Sequence, residues 1–255
     1  MRRLGVILGV LIALAHNAPV LADARITSYK SVVGGKEETR EALLCMPKGD
    51  GPFPVAVFNH GSIVDGWGWP GARARSYRLD RVCEALASEG IVTFAPIREI
   101  NPRGRGFMSY EEKYREIVMR AVDHAKTLAK VDRARVALVG FSMGGLVSFL
   151  VSTDRNDLRA LALLAPAAGR GVIGENVQRA SAISAPTLVL IEASDAPPIH
   201  RGVNMIERTM RGQNKNIKVV RYDRGGGHEL FYDLGYWWDD LRLFLREHLS
   251  NPGTR

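Results

Sequence analysis

The sequence predicts a single α/β domain built on a mostly parallel sheet of about eight strands, with helices on both faces. Short runs of consecutive apolar residues, typical of strands buried on both faces, alternate with longer segments whose apolar residues recur at helical spacing. The chain has 255 residues, a length that one α/β domain often reaches. It shows no internal repeat, low-complexity tract or linker that would divide it.

The elements begin with a β-hairpin, in which Ile26–Val33 and Thr39–Met46 alternate around Gly34-Gly35. The strands predicted after it are Val55–Asn59, Ile91–Ala95, Arg135–Val139, Leu158–Leu164, Thr187–Glu192 and Ile217–Tyr222. The predicted helices are Tyr77–Ser88, Tyr110–Ala129, Leu146–Ser152, Val203–Met210 and Asp233–Leu249. The segment 62–76 between the first short strand and the first helix is expected to be a loop.

Composition excludes several other classes of protein. A hydrophobic fraction of 46% excludes disorder, and two cysteines are too few for a small disulfide-stapled scaffold. The formal net charge is +8, but the basic residues are spread along the chain and no basic run is interleaved with aromatic residues. We therefore expect most of this charge to lie on a solvated surface and expect no nucleic-acid partner.

The N-terminus, residues 1–24, has the layout of a secretory signal peptide. A basic start (MRR) precedes the apolar run Leu4–Ala15, and small residues suit cleavage after Ala22 or Ala24. The alternative is an uncleaved anchor, although the run is shorter than the ~18 residues of a transmembrane helix. We expect a periplasmic or secreted domain, residues 25–255, with no stable membrane insertion after cleavage.

Export would place Cys45 and Cys83 in an oxidising compartment, where a disulfide is permitted. Cys45 falls in a predicted strand and Cys83 in a predicted helix. The sequence therefore leaves both possibilities open, a disulfide or two separately buried thiols.

A candidate nucleophile, Ser142, lies in Gly140-Phe141-Ser142-Met143-Gly144, which matches G-x-S-x-G between a predicted strand and a predicted helix. A strand that turns sharply into a helix leaves no room for side chains two residues to either side of the serine. The turn holds the hydroxyl above the carboxyl ends of the strands, where α/β sheets bind ligands. The alternative is an incidental serine in a glycine-rich turn.

Two further segments carry a family resemblance. The sequence NHGS at 59–62 follows the third strand, and NPRGRGFMS at 101–109 follows the fourth. With the serine motif, they resemble the H-G oxyanion element and the R-G-x-G-x-S turn of the α/β-hydrolase family, with one residue inserted before the last serine. Over residues 25–250 the chain is similar to dienelactone-hydrolase-like enzymes and small carboxylesterases. This implies the α/β-hydrolase fold, without a cap domain because only residues 165–186 separate the sixth and seventh strands.

The other candidate triad members are His228 and Asp195. His228 follows a strand in the sequence GGGHE, a loop that lets an imidazole reach back to the serine. Asp195 follows the strand that ends at Glu192, and its role would be to fix the tautomer of His228 and stabilise the imidazolium. Glu192 and Asp223 are rival acids, but Glu192 is still on the strand and Asp223 lies close before the histidine. The order nucleophile, acid, histidine is that of the family.

Acyl transfer also needs two backbone N–H donors for the oxyanion of the tetrahedral intermediate. By their place in the topology, these are the N–H groups of Met143 and Ser62, with Ile63 as the alternative to Ser62. No side chain is needed for this role.

Substrate contacts are expected from the segments after the third and fourth strands. Trp67 and Trp69 either form an acyl or aromatic subsite or simply anchor their loop. Arg98 or Arg105 would bind an acidic substrate, whereas Arg103 is expected to be structural, as in the family turn.

Other motifs are set aside. GRGVIG at residues 169–174 imitates a dinucleotide fingerprint, but four residues separate it from its strand instead of a tight turn. No cysteines and histidines have metal-ligand spacing, so we expect no cofactor and no metal.

The sequence thus predicts an exported serine hydrolase that cleaves carboxylic esters of small molecules through an acyl-enzyme. A dienelactone-type lactone hydrolase or a small peptidase is the alternative on the same fold. Dienelactone hydrolase itself uses cysteine where this chain has Ser142. A non-catalytic binding protein is the alternative from another class.

Overall fold

In the computed structural model, which describes residues 24–98 and 108–250, eight strands form one sheet. The strands are β1 (Arg25–Val33), β2 (Lys36–Cys45), β3 (Phe53–Asn59), β4 (Val92–Pro96), β5 (Val131–Phe141), β6 (Ala160–Leu164), β7 (Thr187–Glu192) and β8 (Ile217–Tyr222). Their order across the sheet is β1-β2-β4-β3-β5-β6-β7-β8. β2 pairs antiparallel with β1 and β4, and all other neighbours are parallel. The prediction of a mostly parallel eight-stranded sheet with an N-terminal hairpin is confirmed.

The hairpin turns at two glycines with positive φ. Gly34 and Gly35 have φ of 57° and 74°, a conformation that suits a two-residue hairpin turn and that glycine adopts without steric cost. The turn puts Val33 opposite Lys36, and the register continues to Arg25 opposite Leu44. The hairpin thereby extends the parallel sheet by two antiparallel strands at one edge.

Helices cover both faces of the sheet. They are α1 (Ser62–Arg73), α2 (Leu79–Ser88), α3 (Met108–Ala125), α4 (Met143–Ser152), α5 (Val172–Asn176), α6 (Pro197–Gly212) and α7 (Trp238–Leu249). Residues of α3, α4, α5 and α6 pack into one hydrophobic core, and residues of α1, α2 and α7 pack into the other. The central strands supply alternate side chains to the two cores, which explains why β6 and β7 are apolar throughout and fully buried.

A disulfide joins β2 to α2. Cys45 and Cys83 are bonded, with their Cα atoms 5.7 Å apart, and both residues are fully buried. The structure therefore takes the first of the two possibilities that the sequence leaves open.

Segment 62–76 differs from its prediction as a loop, because most of it forms α1. Three glycines and Pro70 hide the helix from a periodicity argument, and the helix is kinked at Gly68, whose φ is 67°. Its buried residues include Val64 and Ala72, which pack into the core beneath α2 and α7.

The other boundaries shift at chain turns. β5 begins at Val131, four residues before its predicted start, because Phe53 of β3 pairs with it there. The predicted helix from Asp233 begins instead at Trp238, since Asp233 is extended and follows a 3₁₀ turn, Gly227–Tyr232.

Between β6 and β7 the chain forms two 3₁₀ turns and the five-residue α5. The prediction that no cap domain is inserted here is confirmed. Within residues 24–98 and 108–250, no helix combines the length and apolar character needed to cross a membrane.

Candidate active site

Ser142 occupies the sharp turn between β5 and α4. Its φ and ψ are 53° and −117°, a strained conformation for a residue with a side chain. Backbone hydrogen bonds hold the turn: the Ser142 N–H donates to the Leu164 carbonyl at 2.9 Å, and the Ala167 N–H donates to the Ser142 carbonyl at 2.9 Å. The end of β6 therefore fixes the position of the serine.

The two motif glycines are required by close backbone contacts. A Cβ on Gly140 would lie 2.3 Å from the Gly144 carbonyl oxygen, and one on Gly144 would lie 2.1 Å from the Asn59 carbonyl oxygen. Real Cβ atoms do not approach backbone oxygens this closely, so a larger residue at Gly140 would displace the start of α4, and one at Gly144 would displace the end of β3. The packing therefore explains why both positions are glycine, in agreement with the steric argument made from the G-x-S-x-G motif.

A chain of hydrogen bonds joins three of the predicted side chains. His228 Nε2 is 2.8 Å from Ser142 Oγ, and His228 Nδ1 is 2.8 Å from Asp195 Oδ2. The carboxylate accepts only, so Nδ1 carries the proton and Nε2 accepts from the serine hydroxyl. The Asp195 side chain is fully buried and its other oxygen accepts the Ala196 N–H at 2.6 Å.

His228 reaches the serine from a glycine-rich loop after β8. Gly225, Gly226 and Gly227 all have positive φ, and the 3₁₀ turn that carries His228 begins at Gly227. The imidazole packs against Phe141, with ring centroids 4.9 Å apart. The ring can therefore bond to residues that follow β5 and β7, although it comes from the loop after β8 at the edge of the sheet.

Glu192, one of the rival acids, ties the acid turn to the histidine loop. One carboxylate oxygen accepts hydrogen bonds from the N–H and hydroxyl of Ser194, and the other accepts the Gly225 N–H at 3.0 Å. These hydrogen bonds, that of the Ser194 hydroxyl first, lower the pKa of Glu192 below its usual range. This role was not predicted. The signal available in the sequence is an acidic residue at the end of an otherwise mostly apolar, buried strand, where a charge needs hydrogen-bond partners. The other rival, Asp223, is exposed.

Met143 and Ser62 are the first residues of α4 and α1. At that position the backbone N–H has no partner within its own helix, and the helix dipole favours negative charge nearby. The loop before α1 lies against the serine turn: a Cβ on Gly61 would lie 2.8 Å from the Phe141 ring and 3.5 Å from Ser142 Cβ. The topology thus brings the two helix N-termini to the serine from two sides.

His60 and Arg98 form a buried cluster with Asp65 behind that loop. Arg98 binds Asp65 through Nε at 3.1 Å and Nη2 at 2.8 Å, and its Nη2 also donates to the His60 carbonyl at 2.7 Å. The His60 ring accepts the Arg98 N–H at Nε2, 3.1 Å away, and its Nδ1 lies 3.0 Å from the Gly61 carbonyl. Burial, reinforced by Arg98, holds the pKa of His60 well below its usual range, so the ring is neutral.

This cluster corrects the expectation that Arg98 binds an acidic substrate. Arg98 is only 1% exposed, and its guanidinium joins α1 to the turn after β3. Arg105, the other arginine of that expectation, and Arg103, which was expected to be structural, lie outside the described residues.

The two tryptophans have different surroundings. Trp67 is 58% exposed and stacks under Arg75, whose guanidinium carbon is 3.5 Å from the ring centroid. Trp69 is half-buried and packs against the core shared by α1, α2 and α7.

A cavity of about 680 Å³ lies beside the serine turn. Its walls are Met143, the segment after β6, α5 and the first half of α6. Neither tryptophan lines it. The described residues of segment 62–76, which was expected to supply part of the wall, do not line it either.

Comparison with known proteins gives a family and a fold. The model of the dienelactone hydrolase family matches residues 41–234. No curated protein matches the sequence.

Among the described residues, no group of three or more histidine, cysteine or acidic side chains is placed to hold a metal ion.

Three solved structures illustrate the likeness. An acetyl xylan esterase from Paenibacillus is 19% identical, with a TM-score of 0.64 over 93% of this chain and 88% of that one. A dienelactone hydrolase-like promiscuous phosphotriesterase from metagenomic libraries is 16% identical, with a TM-score of 0.66 over 89% and 100%. An acylaminoacyl peptidase from Pyrococcus horikoshii is 13% identical, with a TM-score of 0.68 over 92% of this chain and 43% of its own. At these identities the likeness establishes the fold alone.

Proposed function

The chain belongs to the dienelactone hydrolase family, and from that premise we propose that it is an exported serine hydrolase that cleaves carboxylic esters of small molecules. The observation that carries the proposal is the continuous chain of hydrogen bonds from Ser142 Oγ through the His228 ring to the Asp195 carboxylate, each link 2.8 Å long. Nucleophile, base and orienting acid at such distances are the arrangement that activates a serine hydroxyl.

In the first half of the reaction, Ser142 Oγ attacks the ester carbonyl carbon while His228 Nε2 takes the hydroxyl proton. Asp195 holds the imidazole in the required tautomer and stabilises the imidazolium that forms. The proton then passes from Nε2 to the alkoxy oxygen as the carbon–oxygen bond breaks. The alcohol leaves, and the acyl group remains on the serine.

In the second half, water takes the place of the alcohol. His228 removes a proton from the water as its oxygen attacks the acyl carbon, and the proton returns to Ser142 Oγ when the acid product leaves. Negative charge builds on the carbonyl oxygen in both halves. The N–H groups of Met143 and Ser62 would donate to it, and their place at two helix N-termini supports this role.

Lactones and peptides are the alternative substrates within this chemistry. A lactone hydrolase would follow the same steps with the alcohol tethered to the acyl group. An acylaminoacyl peptidase shares the fold, but this chain spans 43% of that protein's length. A non-catalytic binding protein is the alternative of another class.

The test is labelling with a fluorophosphonate probe together with hydrolysis of p-nitrophenyl acetate. Wild-type protein should label and hydrolyse the ester, and Ser142→Ala should do neither. Asp195→Asn should lower kcat by roughly 10⁴-fold, because the amide N–H₂ can donate to Nδ1 and hold the wrong tautomer, and no carboxylate charge remains to stabilise the imidazolium.

Ser62→Ala is the matched control. It makes the same substitution in an exposed serine of the same site, and it keeps the backbone N–H that the proposal uses. It should retain labelling and most of the activity. A folded wild-type protein that neither labels nor hydrolyses any p-nitrophenyl ester would overturn the proposal in favour of a binding protein.

Export to the periplasm or the outside is part of the proposal. It is supported by the signal-peptide layout of residues 1–24, which precede the first strand, and by the disulfide between Cys45 and Cys83. Disulfides persist in oxidising compartments and are rare in the cytosol of most organisms.

A further inference from the structure

The cavity beside Ser142 has an apolar interior close to the reacting atoms. Met143, the residue after the serine, forms part of its wall, and so do Ala167, Ile173 and Met205. The two arginines in its lining, Arg170 and Arg201, are exposed at the surface. A ligand inside the cavity would therefore meet mainly apolar groups.

Glycines keep this space open. The turn Gly169–Gly171 has φ of 62°, 49° and 116°, a left-handed path that favours glycine at its two ends. Gly174 on α5 and Gly202 on α6 also line the cavity, and a Cβ on Gly174 would lie 3.2 Å from Met205 Cε. The sequence GRGVIG, which imitates a dinucleotide fingerprint, thus forms one wall of a cavity next to the serine.

The position of His228 indicates which half of an ester would occupy the cavity. His228 protonates the leaving alkoxy oxygen, so the alcohol must lie on the histidine side of the carbonyl carbon. His228 does not line the cavity; its ring packs on Phe141, and its loop lies against Ser194. Met143 carries the oxyanion donor on its backbone and contributes to the cavity wall, which places the cavity on the acyl side.

We propose that this cavity is the acyl-binding pocket and that the enzyme prefers esters of apolar carboxylic acids of several carbons over acetates. The proposal rests on the proposed function. Each buried methylene of a substrate contributes through the hydrophobic effect, roughly a two- to fourfold gain in kcat/KM while the chain stays within the pocket. The glycines at 171, 174 and 202 set the length at which the gain stops.

The experiment measures kcat/KM for p-nitrophenyl esters from acetate to octanoate in wild-type protein, Gly174→Leu and Met205→Trp. Wild-type kcat/KM should rise with acyl length. Gly174→Leu should lose at least tenfold on hexanoate and octanoate and stay within about twofold on acetate. Met205→Trp should act in the same direction and changes a partly exposed side chain, so it tests the pocket even if the α5 variant does not fold.

Gly212→Leu is the matched control. Gly212 ends α6 outside the cavity, and a Cβ there would meet no atom within 4 Å. It should leave the whole profile unchanged. A second series, acetate esters of alcohols from methanol to hexanol, should respond equally in all variants because the alcohol lies on the histidine side.

n-Alkylboronic acids provide a measurement without an alcohol. They bind serine hydrolases by forming a tetrahedral adduct on the serine oxygen, so their alkyl group stands where the acyl group would. Their inhibition constants should fall with chain length in wild-type protein and remain flat in Gly174→Leu.

Three results would overturn the pocket. One is an acyl profile that the variants leave unchanged, and another is a loss that follows the alcohol series instead. In both, fluorophosphonate labelling and acetate hydrolysis persist, so the proposed function stands and the pocket alone fails. The third is a protein that neither labels nor hydrolyses any ester, in which case both proposals fail together.

Discussion

Arg98 pairs with Asp65 in the protein interior, where a charge left without its partner is costly. The guanidinium is 1% exposed and makes two hydrogen bonds to the carboxylate. We expect Arg98→Ala to lower the free energy of unfolding by about 3–5 kcal/mol, because it leaves Asp65 buried and unpaired. Urea denaturation measures the loss.

Arg75→Ala is the control for Arg98, since it removes an exposed arginine whose described contacts are stacking on Trp67 and a hydrogen bond to the Gly71 carbonyl. Its effect should stay below about 1 kcal/mol. If Arg98→Ala left stability unchanged and raised KM for esters that carry a carboxylate, the arginine would be a substrate contact after all.

Glu111 of α3 is a buried acid that the proposed reaction does not use. It is 5% exposed, and its Oε1 accepts no hydrogen bond from the described residues. Burial, with Glu175 as a second cause, raises the pKa of Glu111 from 4.5 to about 7. Between these two values the unfolded chain binds fewer protons than the folded chain. The contribution to stability is therefore complete below pH 4.5 and is lost as the pH rises through 7.

Glu111→Gln should remove this dependence, because the amide stays neutral at every pH. Relative to wild type, the variant should gain up to about 3 kcal/mol of unfolding free energy at pH 8 and nothing at pH 4.5. Urea denaturation at several pH values measures the difference between the two proteins. Glu112 is an exposed neighbour on α3, so the difference in unfolding free energy between Glu112→Gln and wild type should not change with pH. A difference for Glu111→Gln that does not change with pH would contradict the prediction.

At the scale of elements, the disulfide joins β2 to α2 across 38 residues of chain. Loop-closure entropy for this length predicts that the double variant Cys45→Ala/Cys83→Ala loses about 3–4 kcal/mol of unfolding free energy. Ser142, Asp195 and His228 follow β5, β7 and β8, away from this crosslink, so the folded variant should keep its kcat at low temperature.

The control for the disulfide is a reducing agent. Wild-type protein unfolded in its presence should be as unstable as the double variant, and the double variant itself should not respond. A wild-type protein whose denaturation curve is the same with and without reductant would show that the crosslink contributes nothing.

The elements that were predicted accurately are those whose secondary structure is indicated by a pattern within their own residues. β7 and β8 were predicted with their observed bounds because each is a continuous strand-forming run between turn residues. α1 was not predicted because its residues are stabilised by partners far along the chain. Asp65 is paired with Arg98, and Ala72 packs in the core with residues of α2 and α7. A window of local residues contains none of that information.

In the molecule as a whole, the candidate site also combines features that neighbouring residues in the sequence indicate with features that depend on contacts between distant segments. G-x-S-x-G and the histidine after three glycines are local signals, and the structure brings Ser142 and His228 within hydrogen-bond distance. The roles of Glu192 and of the cavity were not predicted. Glu192 binds groups on two different loops, and the cavity forms only where α5 and α6 pack together beside Met143.

The signal-peptide layout of residues 1–24 predicts how the whole protein is processed and where in the cell it is found. β1 begins at Arg25, so cleavage after Ala22 or Ala24 would leave the hairpin complete. Protein expressed from the full sequence in a bacterial host should lose residues 1–22 or 1–24 and be recovered outside the cytoplasm, with Cys45 and Cys83 oxidised. Intact mass, N-terminal sequencing and thiol alkylation of each cell fraction measure this.

Signal peptidase needs a small residue immediately before the cut, which provides the control. Ala22→Leu combined with Ala24→Leu should block processing, so that the uncut precursor accumulates in the membrane fraction through its apolar run, Leu4–Ala15. Ala18→Leu, a matched substitution away from both cleavage positions, should be processed normally. Wild-type protein that keeps Met1 and stays with the membrane would identify the run as an anchor. Wild-type protein that keeps Met1 and is found in the cytosol would exclude export. Its cysteines should then be reduced, because disulfides persist in oxidising compartments and are rare in the cytosol.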